Sequence, residues 1–348
     1  MIAMKIRTYL DWNATTPIRS EVHQAIREAL DYWGNPSSIY QEGRAAKGLI
    51  EKSRATIGDI CGFLPEDVIF TSGATEGAAL ALQGKDLIAA AIEHDCVKSW
   101  TNNCLQADKN GRVEVKSPPD SCLQIANGET GVIQKIPNDL HVSDGTQALG
   151  KIPTQEYFSR VKIAFISAHK IGGLKGVGAL LKKPDAEIAP HIRGGGQEFG
   201  FRSGTENVIG IAGFAAALIA ANKELKDGEW ERVKELRDLF EDTIIDSVKD
   251  VVVFGRETER LPNTSYFAAS GWKSEHQIIN LDLSGFAVSA GSACSSGKLR
   301  SSGVLEAMGI PPHLISSAVR ISLGPTTEKD EVLRFAKLWI KKLKDYRN

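Results

Sequence analysis

The sequence predicts an α/β fold, in which a mainly parallel sheet is covered by helices on both faces and followed by a smaller α+β tail. Through the first half of the chain, short apolar runs alternate with stretches whose apolar residues recur at helical spacing, the pattern of successive strand–helix–strand units. Two helical stretches, 207–226 and 229–248, then lead away from that alternation, and the strands beyond them form a group with one terminal helix. With 348 residues, 42% of them hydrophobic and 24% charged, the chain can bury one large core and a second, smaller one.

In chain order, 20–30 and 43–60 read as helices, and 68–71 as a strand ending in Ser72-Gly73-Ala74-Thr75. Further strands are expected at 87–91, 122–126, 140–143, 163–167 and 177–181. Ser117-Pro118-Pro119-Asp120 punctuates a surface loop. The apolar stretch 209–221 is too short to span a bilayer and is ended by Asn222-Lys223-Glu224, so it reads as a buried helix. Beyond the connector, 251–254, 264–267 and 319–324 read as strands, and a last helix starts at Glu328. No internal repeat or low-complexity segment interrupts this order.

Lysine and arginine (42) nearly balance aspartate and glutamate (43), for a net charge of −1, which gives no electrostatic case for nucleic acid or an acidic membrane as main partner. A small substrate is expected. Cys61, Cys96, Cys104, Cys122 and Cys294 are odd in number, irregularly spaced and without a CxxC pair, and no secretory leader is seen ahead of the first strand, so a cytoplasmic location is expected.

The chemistry centres on Lys170, in Ser167-Ala168-His169-Lys170, directly after an apolar run and before Ile171-Gly172-Gly173. A lysine at the end of a buried strand, desolvated so that its amine is neutral near physiological pH, suits Schiff-base formation and points to pyridoxal phosphate. That cofactor asks for three different protein groups, and the chain offers candidates for each. Ser72-Gly73-Ala74-Thr75-Glu76 can turn backbone N–H groups, the Thr75 hydroxyl and a helix dipole on a phosphate, or it is a plain turn capped by Thr75. Asp144, at the end of a strand, can hold a pyridine nitrogen protonated, or cap the turn that follows. His94 can lie over the ring or move protons, or be structural. Cys294 lies in the small, flexible sequence Ala290-Gly291-Ser292-Ala293-Cys294-Ser295-Ser296-Gly297, placed for nucleophilic or redox chemistry rather than for packing. Arg320, between Val319 and Ile321, either meets a carboxylate or sits in a surface ion pair on an edge strand.

Taken together, these segments resemble the cysteine desulfurases, fold-type I pyridoxal-phosphate enzymes. The resemblance runs from Tyr9-Leu10-Asp11-Trp12-Asn13-Ala14-Thr15-Thr16-Pro17 through Gly34-Asn35-Pro36-Ser37-Ser38, Phe70-Thr71-Ser72-Gly73-Ala74-Thr75-Glu76, Asp144-Gly145-Thr146-Gln147, Ser167-Ala168-His169-Lys170 and Arg202-Ser203-Gly204-Thr205 to the Cys294 and Arg320 segments. It implies a large domain at 16–247 with a mainly parallel seven-stranded sheet, and a small α+β domain at 1–15 and 248–348. It further implies that Lys170 links the cofactor, Asp144 pairs with its ring nitrogen, His94 stacks on the ring and Gln147 faces the phenolic oxygen. Ala74, Thr75, Ser167 and His169 would hold the phosphate, with Thr205 reaching it from the second subunit of a homodimer. Arg320 would bind the carboxylate of L-cysteine with Asn13 nearby, and Cys294 would accept the sulfur as a persulfide for delivery to an acceptor such as an iron–sulfur scaffold protein. Selenocysteine lyase or another C–S lyase is the near alternative, and a non-catalytic scaffold the distant one.

Departures from the family pattern are specific. Ala126-Asn127-Gly128-Glu129-Thr130-Gly131 has Gly128 where an asparagine is usual, Phe199 replaces an arginine and Tyr40 a histidine. Segments 83–92, after Val113, and 136–141 are short, so sheet-covering helices are expected to be missing.

Overall fold

The computed structural model describes residues 7–291 and 301–348. Val68–Thr71, Gly178–Lys182, Val161–Ser167 and Leu140–Asp144 form a four-stranded sheet in that order, Gly178–Lys182 antiparallel to both neighbours and Leu140–Asp144 parallel to Val161–Ser167. Parallel bridges from Val142 to Cys122 and from Ser121 to Ile88, then the parallel pair Ile88–Ala90 and Asn102–Leu105, carry the layer on. Seven segments therefore lie side by side, with only Gly178–Lys182 reversed, which is the expected mainly parallel arrangement.

The expected strand at 122–126 is corrected to isolated bridges. Leu123 and Ile125 donate their N–H groups to Val142 and Asp144 in ladder fashion, but the N–H of Gln124 goes to the Glu93 carboxylate at 2.8 Å, so the ladder to the next strand is not completed. The connections beside it are thin, as their short lengths predict. Between Ile88–Ala90 and Asn102–Leu105 there is one helical turn, Asp95–Lys98, and the next connection holds the single turn Pro118–Asp120.

The sheet's central strand, Val161–Ser167, is buried at every position but Lys162, since helices cover both faces. On one face Val208–Lys226 packs against Ser20–Ala29 and Gln41–Cys61. Val208–Lys226 is long and apolar enough to cross a membrane, but its buried residues, Phe214 and Leu218 among them, join the main core, as expected for a core helix. Asn207 caps its start by accepting the Gly210 N–H at 3.0 Å. The other face is covered by Ala74–Leu82, where Gly77 lies so close to the strand that a Cβ would sit 2.8 Å from Phe165 Cβ.

A second core joins Leu10, Trp230, Val233, Phe240, Phe267, Phe335 and Trp339, with Phe267 edge-on to both Phe240 and Trp339 at 5.1 Å. Here Thr264–Ala268 pairs antiparallel with Val252–Val253 and Ala318–Ser322, under the terminal helix Lys329–Arg347. Helix Glu229–Ser247, which the 16–247 boundary assigns to the larger domain, buries its apolar face in this second core. The N-terminal segment links the two cores: Thr8–Tyr9 pairs with Phe286–Ala287, Asp11 bridges to Ser322, and Thr16 donates its N–H to His169 O at 2.9 Å.

Candidate active site

The strand Val161–Ser167 delivers Lys170 through one tight turn, Ala168–Lys170. Lys170 Nζ donates to Asn13 O at 2.7 Å and to Ala14 O at 2.9 Å, both on the incoming N-terminal segment. Burial and then the Arg320 cation push its pKa down to about 8, against the opposing pull of Asp11 and Asp144. A sizeable fraction of the amine is therefore neutral at mildly alkaline pH, the form that attacks a carbonyl.

Asp144 ends the neighbouring parallel strand and is 8% exposed. One oxygen accepts the Thr146 N–H at 2.7 Å, so the turn-capping role is real. It leaves the second oxygen with lone pairs for a further donor. Burial raises its pKa, moderated by the Thr146 hydrogen bonds and by the fields of His94 and Lys170. Asp144 thus lies within the fields of both Lys170 and His94.

His94 starts the Asp95–Lys98 turn and is exposed; its Nδ1 accepts the Cys96 N–H at 3.2 Å and lies 3.0 Å from Cys96 Sγ. Ala74 and Thr75 open the Ala74–Leu82 helix, whose first turn has no side-chain cap, and Thr75 is exposed. Gly73 makes this turn possible: φ +155°, ψ −179° is a conformation essentially confined to glycine. Its Cα lies so near the strand end that a Cβ on Gly178 would be 2.7 Å away, bringing the turn against buried Ser167. His169 Nδ1 meets Thr15 Oγ1 at 3.2 Å, and burial followed by Lys170 pushes its pKa down to about 4, so it is a neutral donor or acceptor. Thr205 is exposed on the loop after Arg202, which clamps Glu76 at 2.8 Å.

Arg320 is buried, which removes the surface ion-pair alternative. It pairs with Asp11 at 2.8 Å, donates to Gly128 O at 2.9 Å and keeps a buried Nε without a partner. Asn13 meets it at Gly128 O, at 3.1 Å. The Asn13 side chain is otherwise engaged within the protein, with Thr264, Lys151 and Asn263, so it serves as a hub that fixes the site's walls. Gln147 donates to Asn13 O at 3.0 Å. Cys294 lies outside the described residues; at their margins Tyr266 donates to Ala290 O at 3.2 Å and Ser302 to the buried Glu129 carboxylate at 2.5 Å.

Sequence reasoning missed Glu93, Glu129, Lys151 and Asp11. Lys151 had a signal, standing four positions after Gln147 and so on the same side of a helical turn. The others are ordinary acidic residues whose burial depends on distant chain. Glu93 is 2% exposed, one oxygen accepts the Gln124 N–H and the other has no partner. Burial, reinforced by Asp144, raises its pKa well above the carboxylate range. A raised folded-state pKa gives stability that is full below the unfolded value and is lost as pH rises through the folded one. Cofactor-free protein should therefore lose thermal stability from mildly acid to alkaline pH, and Glu93→Gln should remove part of that loss. Melting temperatures that fall in parallel for both proteins would assign the loss elsewhere.

A lysine amine and a buried carboxylate at adjacent strand ends, with an uncapped helix N-terminus beside them, bring together groups expected of a pyridoxal-phosphate site on an α/β sheet. The profile of the class-V aminotransferases matches residues 8–116 and 123–335. Cysteine desulfurase IscS of Dictyoglomus turgidum is 37% identical, with 94% of this chain and 92% of that protein covered. A putative cysteine desulfurase, IscS 1, of Bacillus subtilis is 33% identical over 95% of this chain and 97% of its own length. The X-ray structure of a NifS-like protein from Rickettsia africae superposes with a TM-score of 0.87 at 30% identity, covering 96% of this chain and 99% of that one. The chain belongs to the class-V aminotransferase family and, within it, to the cysteine desulfurases.

Proposed function

We propose that this protein is an active cysteine desulfurase that binds pyridoxal phosphate and moves sulfur from L-cysteine to Cys294, releasing L-alanine. The observation that carries the reading is Lys170, an amine set at a strand end against Asn13 O and Ala14 O, with its pKa pushed down to about 8 by burial and then Arg320.

The residues fit the cofactor. Asp144 gives one oxygen to the Thr146 N–H and has a second to accept a ring N–H, the Ala74–Leu82 helix offers unfilled backbone donors with Thr75, Ser167 and His169 around them, and His94 stands exposed at the rim. When bound, the cofactor supplies an aldehyde for the substrate amine and a ring that takes up an electron pair. Arg320 orients the substrate through its carboxylate, its Nε being a buried donor without a partner. Lys170, once free, removes the proton from Cα. The Cys294 thiolate takes the substrate sulfur; the carbon–sulfur electron pair stays with the carbon skeleton, which His94 helps to reprotonate. Sulfur then passes to a protein acceptor, of the iron–sulfur scaffold kind. Exposed Thr205 suits contact with a phosphate in a partner subunit, which supports a homodimer, and a reducing cytoplasm suits a persulfide carrier.

Alanine release from L-cysteine tests the assignment. Cys294→Ala is expected to abolish turnover while leaving the spectrum of the bound cofactor unchanged. Undiminished alanine release by the variant would instead assign a C–S lyase, which needs no protein thiol.

A further inference from the structure

Lys151 is a buried amine that the proposed chemistry leaves without a task. It is 3% exposed, and its Nζ donates to two neutral acceptors, Asn13 Oδ1 at 2.9 Å and Gln147 Oε1 at 2.7 Å. No carboxylate pairs with it among the described residues. The chain turns inward just before it at Gly150, where φ is +70° and a Cβ would lie 2.9 Å from both Ala221 Cβ and Ile171 Cγ2. An unpaired buried ammonium is costly, so its retention asks for a reason.

The geometry supplies one. Both carboxamide oxygens accept from Nζ, so the NH2 groups of Gln147 and Asn13 face away from it. Gln147 Nε2 gives one hydrogen to Asn13 O at 3.0 Å. It also stands where a side chain on residue 128 would begin, since a Cβ built on Gly128 would be 3.3 Å from Nε2 and 3.4 Å from Cγ. The position at which the family pattern carries an asparagine is thus bordered by the Gln147 amide.

We propose that Lys151 is a positioning residue: by holding Gln147 Oε1 it turns that carboxamide so that its N–H, in place of the side chain absent at Gly128, donates to the phenolic oxygen of the cofactor linked to Lys170. The inference rests on the cofactor reading given above. The surrounding charges agree with an oxyanion there. Burial, and then the Lys170 and Arg320 charges, hold the pKa of Lys151 well below the lysine range. His169 feels both lysines, while Asp11 and Asp144 act on Lys170 in the opposite sense to Arg320. A negative oxygen beside Gln147 relieves this local excess of positive charge.

The test is a spectrophotometric pH titration of the Lys170–cofactor linkage, with cofactor affinity measured by fluorescence. A donor aimed at the phenolic oxygen favours loss of the linkage proton. Lys151→Met is therefore expected to raise the titration midpoint and to weaken cofactor binding by about three- to tenfold, the range for one lost hydrogen bond. Adding Gly128→Asn to Lys151→Met should return the midpoint toward wild type, because the freed Gln147 can give way to the new side chain. Lys151→Gln carries the same expectation with a smaller shift, so a methionine variant that fails to fold does not remove the test. A folded variant with an unchanged midpoint and affinity would overturn the role of Lys151 alone. A wild-type protein that shows no linked-cofactor band at any pH would overturn the cofactor reading itself.

Discussion

Lys170→Ala should lose both the absorption of the linked cofactor and about 10²–10⁴-fold of the alanine-forming activity, the range that a positioned proton-transfer group supplies. Two consequences separate this from general damage. The amine leaves behind two backbone acceptors, Asn13 O and Ala14 O, at the rim of a partly exposed site where water can replace it, so melting temperature should change little. Lys170→Arg keeps the positive charge but not the activity, because a guanidinium remains protonated and cannot attack a carbonyl. Partial recovery of proton transfer in the alanine variant on adding a small primary amine would locate the defect in the missing base. Full alanine release by Lys170→Ala would remove the amine from the chemistry and with it the proposed mechanism.

Much of this site is legible in the sequence because its residues stand at strand ends. An apolar run followed by small residues marks the Lys170 turn, and the same reasoning finds Asp144 one strand away. The sheet's shortened connections are legible from segment lengths alone. The hub is not. Asn13 reaches Lys151 and Thr264 across 138 and 251 positions of sequence, and nothing local distinguishes it from a turn-forming asparagine. Glu93 illustrates the same limit in reverse: nothing in the sequence marks it as buried, yet it takes the Gln124 N–H and thereby interrupts the strand expected at 122–126. Helix Glu229–Ser247 reads with Val208–Lys226 as part of one two-helix connector in sequence, and only the partners of Trp230 and Phe240 show which core it serves.

Arg54→Ala should destabilise the fold by about 3–5 kcal/mol, the cost of leaving a buried charge without its partner. Arg54 and Glu198 are 3% and 2% exposed at their side chains and meet in a two-pronged pair at 2.7 and 2.8 Å. The guanidinium also donates to Val68 O at 2.6 Å and lies between the rings of Phe70 and Phe199, 4.8 and 4.9 Å from their centroids. Phe199, the departure from the family's arginine, is thus a stacking partner for a cation rather than a second cation. Glu198 and Phe199 both hold positive φ, +47° and +57°, a strain of about 1–3 kcal/mol per residue that the surrounding contacts must sustain. Through the Phe70 N–H, which Glu198 accepts at 2.7 Å, the pair pins the strand that runs into Ser72-Gly73-Ala74-Thr75. From Glu198 the chain continues to Arg202, which grips Glu76 in the first turn of the same helix. Chemical denaturation measures the stability loss, and a phosphate-site readout follows from this linkage: cofactor affinity should fall in Arg54→Ala beyond what unfolding accounts for. Combining Arg54→Met with Glu198→Gln removes both charges, keeps an acceptor for Phe70, and should recover most of the stability. A double variant no more stable than Arg54→Ala would show that the stacked guanidinium, rather than the orphaned carboxylate, carries the cost.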